Sequence, residues 1–392
     1  MINNDAIIVC SNCVLDSTIQ NISFNENGVC NFCSGFFIEN ARKPRRDPND
    51  LSAGLTSVIE VIRKKGQGKR YDCIIGLSGG VDSSYLAWLV RKHNLRPLAV
   101  HLDNGWNSEL AVSNMEKVCS KLQIDLVTHV IDWVEFRDIQ LSFLKASVAH
   151  VDAPTDHAIF ATLYMFAKKY GIKYILDGIN TNTEYTRNDM MDAGYNYMDY
   201  SQIKGIHKKF GKEPFITFPR MTMFMKFINQ AVFGIRQLSL LNIIDYNKLT
   251  AIETLKKEIQ WKPYDGKHHE SLYTKWHQLV YLPSKFKFDI RKLHLSDLVL
   301  SGQLSREQAL AELARISITA IEKKELTCYV QKKLGLSESE YVAMLTTTRK
   351  TYRDYPNSKW LLNIFQRLKK FLAKNVKPLA AGPVLDSLSY IF

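Results

Sequence analysis

The stretch Tyr71-Asp-Cys-Ile-Ile-Gly-Leu-Ser-Gly-Gly-Val-Asp-Ser-Ser-Tyr85 decides the fold. Cys73, Ile74, Ile75 and Leu77 make an apolar run that stops at Ser78-Gly79-Gly80, and Val81, Tyr85, Leu86 and Leu89 follow at helical spacing. The pattern predicts a buried strand, a tight glycine turn and a helix that opens on hydroxyl residues. Such a turn is an anion site. Glycines let a phosphate approach the backbone, and the first helical turn aims free N–H groups and a positive dipole end at it. Ser78, Ser83 and Ser84 add side-chain donors, and Asp82 is an acceptor suited to a metal or to a helix start. Gly76, Gly79, Gly80 and Val81 complete this candidate cofactor-binding set. A Ser-capped strand–turn–helix would account for a lone Gly-Gly pair, but the whole heptad asks for more.

Ser78-Gly-Gly-Val-Asp-Ser-Ser84 resembles the SGGxDS loop of the ATP pyrophosphatase (PP-loop) superfamily, in the strand–turn–helix setting that superfamily requires. It is not a Walker A loop, because no Gly-Lys-Ser/Thr follows. The resemblance implies a HUP-like sheet that holds ATP while its α-phosphate is attacked and pyrophosphate leaves.

From Tyr71 onward strands and helices alternate. Pro97 to Leu102, Leu126 to Ile131 and Tyr174 to Leu176 read as strands; Ser108 to Leu122, Trp133 to Ser147 and Pro154 to Tyr170 read as helices. Leu51 to Lys65 reads as a helix before the first strand. The alternation predicts an α/β fold, a doubly wound parallel sheet with ligand at the carboxyl ends of its strands. Two more segments fall at those ends. In His101-Leu-Asp-Asn-Gly-Trp106, Asp103 is either a ribose or adenine contact or the residue of a strand-ending turn. Leu176-Asp-Gly-Ile-Asn-Thr-Asn-Thr-Glu184 is similar to the Gly-x-Asn-x-x-x-Glu stretch of PP-loop amidotransferases such as NAD synthetase. That resemblance implies a contact from Gly178 and a magnesium ion shared by Asp82 and Glu184; one or two carboxylates with phosphates and water suffice for Mg²⁺. Asp156 reads as an N-cap.

Cys10-Ser-Asn-Cys13 and Cys30-Asn-Phe-Cys33 flank 16 residues, a spacing that fits a tetrahedral Cys₄ zinc site across a hairpin-like Asp16 to Gly28. A closed four-thiolate site braces structure and leaves no open position for chemistry. The alternative is a pair of redox or disulfide CxxC motifs. Cys73, Cys119 and Cys328 read as packing residues. The basic, proline-broken Arg42 to Pro48 marks a boundary. The expected units are a zinc-ribbon module over residues 1–45, a PP-loop domain over 50–215 and a mostly helical region over 216–392.

The chain has 392 residues, 46% of them apolar and 23% charged, and a formal charge of +13 that suits a polyanionic ligand or plain solubility. Its start lacks the layout of a signal peptide, and the most apolar stretch, Phe215 to Tyr246, is too polar to span a bilayer, so the expected location is the cytoplasm. That stretch reads instead as core or amphipathic helices. Asn188 to Tyr200, rich in Asp, Met and Tyr, reads as a loop over the nucleotide. Trp261 to Lys292 interleaves rings and cations, which suits a stacked sugar beside a bound diphosphate, an RNA, or a solvated helix face. Within it, Lys267, His268, His269 and Glu270 are candidates to bind substrate or assist catalysis, although His-His-Glu lacks the i, i+4 pair of a helical metal site. Ser305-x-x-Gln308 and Ser337-x-x-Glu340 read as capping boxes.

Taken together, the Cys₄ module, Ser78–Ser84, Asp103–Trp106, Gly178–Glu184 and Lys267–Lys292 resemble, in that order, the bacterial N-acetyl sugar amidotransferase family of lipopolysaccharide and surface-sugar synthesis. Membership implies an ATP-dependent enzyme that adenylates the N-acetyl oxygen of a sugar, nucleotide-linked, and replaces it with ammonia to give an acetamidino group. It also implies separate glutaminase and synthase partners supplying the ammonia, and ATP, Mg²⁺ and structural Zn²⁺ as cofactors. A PP-loop tRNA-thiolating enzyme is the alternative. Against it, Val81 stands where many of those show Lys, and no second cysteine pair lies near the loop; nucleic acid is therefore not the expected partner. The third reading is an ATP-binding scaffold, against which Asp82 and Glu184 speak.

Overall fold

The computed structural model describes residues 7–42, 48–186, 199–360 and 364. Five parallel strands, β1 (Cys73–Gly76), β2 (Pro97–Asp103), β3 (Asp125–Val130), β4 (Tyr174–Leu176) and β5 (Arg236–Leu238), pair in the order β3-β2-β1-β4-β5. Ile75 lies between Ala99 of β2 and Leu176 of β4. The winding reverses between β1 and β4, so their carboxyl ends open onto the switch-point crevice where open α/β sheets take ligands.

Alternate side chains of β1 go to opposite faces, as the period of a strand demands. Cys73 and Ile75 join Leu86 and Val90 of the helix Val81–Lys92, Met115 and Val118 of Glu109–Leu122, and Leu255 and Ile259 of Lys248–Ile259. Ile74 joins Leu98, Val100 and the Phe160, Leu163 and Tyr164 rings and branches of Ala153–Lys169. Each fully buried Leu or Ile contributes roughly 1.5–3 kcal/mol against exposure, so the two-faced burial is what holds the sheet between its helices. The helices begin where short polar side chains cap them: Ser108 accepts from Ala111 N, Asp132 from Glu135 N and Asn247 from Thr250 N.

The α/β doubly wound fold is as expected, with differences of detail. The strand Arg236–Leu238 was not foreseen; it lies inside the stretch read as helical and beyond residue 215, where the α/β body was expected to end. Three residues are too few to show a period, and only pairing with β4 makes them a strand. The helix Met223–Ala231 does form in that stretch. Asp16 to Gly28 is no regular hairpin: single antiparallel bridges join Val9 to Asp16 and Phe24 to Cys30, and the second cysteine pair runs into the helix Asn31–Arg42. Asp156 is not a cap but a first-turn residue, the N-cap position falling to Asp152. Of the loop expected over Asn188 to Tyr200, residues 188–198 lie outside the described residues, and Asp199 and Tyr200 begin the helix Tyr200–Phe210 as its N-cap and first residue.

Among the described residues beyond Ile290, four α-helices follow, Arg291–Leu300, Arg306–Ala314, Ala320–Leu334 and Glu338–Thr346, and both expected capping boxes close as reciprocal pairs. Two more close the same way, Thr319 with Glu322 and Thr351 with Asp354. Among the described residues no helix is long and apolar enough to cross a membrane.

Candidate functional site

The loop after β1 takes a shape only glycine permits. Gly79 has φ +82°, and a Cβ there would sit 2.6 Å from the Ala111 carbonyl oxygen. The loop is laced by its own serines. Ser83 Oγ lies 3.1 Å from Ser78 Oγ, Ser78 N donates to Ser83 Oγ at 3.3 Å, and Gly80 N donates to Ser78 Oγ at 3.3 Å. Gly80 is the N-cap of Val81–Lys92 and offers no side chain to its first N–H groups, which leaves that helix end as a seat for an anion. Ser84 is fully buried, and its hydroxyl has no hydrogen-bond partner among the described residues. Gly76 faces Leu163, where a Cβ would be at ordinary contact distance, 3.4 Å from the leucine methyl, so it packs strand on helix.

The loop after β4 closes over the first. A Cβ on Gly178 would stand 3.2 Å from both Asp82 Cβ and Ser83 N, so this glycine allows the two loops to touch. Asp177 ties the same end of β4 to β5, accepting from Gln237 Nε2 at 2.6 Å and Ser239 Oγ at 2.7 Å. Asn180 caps the short helix Thr181–Glu184 and thereby aims Glu184. Glu184 Oε1 meets Lys267 Nζ at 3.1 Å, and Lys267 also donates to the Thr183 carbonyl at 2.6 Å. Asp82 accepts from the Tyr246 hydroxyl. Burial raises the Asp82 carboxyl above its ordinary range; Lys267 opposes that rise and Glu184 adds to it. Asp82 and Glu184 feel each other's charge, and both are hard oxygen donors of the kind a magnesium ion takes.

Lys267 and His268 arrive from the Trp261–Ser271 segment, which is pinned on the loop. Trp261 Nε1 and Tyr264 Oη both donate to the Gly79 carbonyl, at 2.9 and 3.1 Å, and Asn114 clasps the backbone of Lys262 on both sides. His268, at φ +63°, holds its ring between two carboxylates, Nε2 at 3.6 Å from Glu184 and Nδ1 at 3.8 Å from Glu270. Desolvation disfavours the charged ring, but those two carboxylates outweigh it and lift His268 to about 9. Ser78 Oγ donates to Glu270 Oε1 at 3.2 Å. His269 turns away: its Nδ1 pairs with Asp265 at 2.7 Å, and Asp265 pairs in turn with Lys275.

Two further expectations resolve as structure. Asp103 Oδ1 accepts from Gly105 N at 2.9 Å and from Asn107 at 3.3 Å, so its carboxylate forms the turn that seats Trp106 in the core. The rings and cations after Glu270 are no sugar platform, because Tyr273, Trp276 and Tyr281 are fully buried and Lys285 is held by the Met344 and Thr347 carbonyls. Residues that sequence reasoning missed also line the cluster. Lys248 is depressed by burial and by Lys267. His294 is held well below its usual value by burial and by Lys267, His268 and Lys248. Asp297, 1% exposed, is pushed by burial up to about 7. Tyr246, Lys248, His294 and Asp297 lie far along the chain with no motif spacing, and only folding brings them to the loop.

At the other end of the chain, the Sγ atoms of Cys10, Cys13, Cys30 and Cys33 lie within 4.8 Å of one another and are buried, a group that could hold a metal ion. Their neighbouring separations are 3.5 to 3.8 Å. A tetrahedron of thiolates at a metal–sulfur bond of about 2.3 Å has edges of about 3.8 Å, whereas a disulfide is about 2.05 Å. Backbone N–H groups of Asn12, Cys13, Leu15, Cys30 and Cys33 point at the sulfurs, as suits thiolates.

Fold and site together define a parallel α/β protein with a glycine-hinged anion loop at its switch point. Residues 72–281 match the family model described as asparagine synthase, more than half of the chain, and the chain belongs to that family within the PP-loop ATP pyrophosphatase superfamily. Residues 270–369 match the model described as LPS biosynthesis protein WbpG-like, C-terminal domain. A tRNA-specific 2-thiouridylase MnmA 2 from Fusobacterium nucleatum is 27% identical over 121 residues, which are 29% of this chain and 35% of that protein. A tRNA(Ile)-lysidine synthase from Chlamydia pneumoniae is 31% identical over 96 residues, 22% of this chain and 30% of that one. The chain thus spans about a third of the length of these curated relatives. The solved NH3-dependent NAD synthetase from Campylobacter jejuni in complex with the nitrate ion aligns at a TM-score of 0.29 and 15% identity, over 54% of this chain and 86% of its own.

Proposed function

We propose that this protein is an ATP-dependent, AMP-forming amidotransferase that converts the N-acetyl group of a nucleotide-linked sugar to an acetamidino group for surface polysaccharide synthesis. The observation that carries the reading is the meeting of Lys267, His268 and Glu270 with the Ser78–Ser84 loop and Glu184. Glu270, the first residue of the region that matches the WbpG-like model, joins that region to the nucleotide-type loop through Ser78. An amide carbon is a poor electrophile. Its oxygen attacks the ATP α-phosphate, the amide N–H loses its proton, and pyrophosphate leaves on the loop N–H groups, Ser78, Ser83 and Lys267. Ammonia then adds to the imidate carbon and AMP leaves. Asp82 and Glu184 would hold Mg²⁺, which when bound neutralises charge on the departing phosphates. Gly178 keeps the second loop close to the first. Ammonia comes from separate glutaminase and synthase partners, and the four buried cysteines hold a structural zinc.

The test is pyrophosphate release from Mg·ATP with ammonium chloride, offered a panel of nucleotide-linked N-acetylated sugars and uronic acids and, in parallel, bulk tRNA. Sugar-dependent release with one oxygen exchanged for NH in the product is expected. The tRNA reading has the names of the two curated relatives in its favour. Release that only tRNA stimulates would replace the sugar reading with it.

A further inference from the structure

The glycine that makes the anion seat does not leave it open. A Cβ on Gly80 would lie 2.7 Å from Glu270 Oε1, so the space freed at this position is filled by the Glu270 carboxylate. That oxygen accepts from Ser78 Oγ at 3.2 Å and stands 3.8 Å from His268 Nδ1. It thus lies beside the uncapped start of Val81–Lys92, where a negative group is stabilised by the helix end. The Glu270 backbone has little freedom to follow its side chain. Its carbonyl accepts from Ser108 N at 2.9 Å, and Ser271 bridges to Asn107. Burial opposes the charge on Glu270, yet His268 and Ser78 hold its carboxyl below the usual range, so the group on the loop is an anion.

We propose that Glu270 is a resident anion on the Ser78–Ser84 loop, a specificity residue that excludes bare polyphosphate from the seat. A phosphate arriving alone must displace the carboxylate or lie against it, and either costs like-charge repulsion in a partly desolvated site. A phosphate that arrives with its own cation meets Glu270 with that repulsion cancelled. The side chain, released from Ser78, swings aside while the pinned backbone stays. The inference rests on the reading of the loop as a phosphate site and adds to it a selection for the metal-complexed ligand.

The experiment is calorimetric titration of the full chain with inorganic pyrophosphate, once in EDTA and once with excess Mg²⁺, for the native protein, Glu270→Gln and Glu270→Ala. Removing the charge is expected to tighten binding in EDTA by about tenfold and binding with Mg²⁺ by much less. Thermal melts check that the variants are folded, and the agreement of Gln with Ala separates charge from shape. Equal or weaker binding by both variants in EDTA would overturn the inference, since the carboxylate would then be a partner of the ligand and not its competitor. In that case the native protein still binds pyrophosphate and the phosphate-site reading survives. No binding by any protein in either buffer would overturn that reading and the inference with it.

Discussion

Asp297 shows how far a single residue of this site departs from its ordinary chemistry. One oxygen accepts from Thr186 N at 2.9 Å; the other is buried with no hydrogen-bond partner among the described residues. Burial carries the carboxyl up to about 7. From the ordinary value near 4 up to about 7, the unfolded chain has released this proton and the folded chain keeps it. Folding stability therefore falls as pH rises through that window. Asp297→Asn keeps the acceptor for Thr186 and removes the titration, so the variant is expected to melt above the native protein near pH 8 and close to it near pH 4. The span is at most about 4 kcal/mol, three units at about 1.4 each. Parallel pH profiles for the two proteins would show that Asp297 titrates in the ordinary range. At the same scale, His268 and His269 divide neighbouring sequence into two jobs, one ring between Glu184 and Glu270 and the other locked to Asp265. Nothing in the run Lys-His-His-Glu says which is which; the left-handed backbone at His268 decides it.

At the scale of elements, the cysteine knuckles clamp the N-terminal segment onto the helices Arg291–Leu300 and Arg306–Ala314. Arg306, at the start of its helix, donates to the Cys10 carbonyl at 2.8 and 3.1 Å and to the Cys13 carbonyl at 3.1 Å. Lys292 pairs with Asp16, and Val14 N donates to Ser296 Oγ at 3.3 Å. Cys33, Phe36 and Leu15 share a core with Leu282, Leu293 and Leu300. The thiolates carry no hydrophobic weight of their own, so a metal among them is folding free energy for the whole clamp. About one zinc per chain is expected by metal analysis. Chelation, or Cys10→Ser, is expected to lower the melting temperature by at least a few degrees, on the usual scale of about 2–4 °C per kcal/mol. An unchanged melting curve after the metal is stripped would leave the cluster without a structural role.

Over the whole molecule, the α/β body reaches beyond the point where the chain changes character. β5 completes the sheet, and Lys248–Ile259 covers Val81–Lys92 with Ala251, Leu255 and Ile259, all fully buried. Tyr246, which holds Asp82, sits at the join between them. A chain ended at residue 215 would expose the covered face of Val81–Lys92, leave the β4 edge unpaired and break the contact with Asp82. It is expected to lack a cooperative urea transition followed by circular dichroism, whereas the full chain shows one. A sharp transition in the short form would make residues 50–215 a folding unit by themselves.

The stretch from Tyr71 to Tyr85 by itself determined the strand, the turn and the helix, because periodicity and adjacent glycines act over a few residues. The same local signals announced the other crossovers, the four-cysteine cluster and the capping boxes. Glu184 and Lys267 were legible as candidates from their short motifs, and the pairing between them was not. Only the tertiary structure decided that Asp103 shapes a turn, that Tyr273 and Trp276 are core, and that Tyr246, Lys248, His294 and Asp297 surround the loop. Apart from the Asp103 turn, which closes within four residues, these outcomes depend on contacts between residues far apart in the chain. Composition carries no trace of such contacts until the sheet brings its carboxyl ends together.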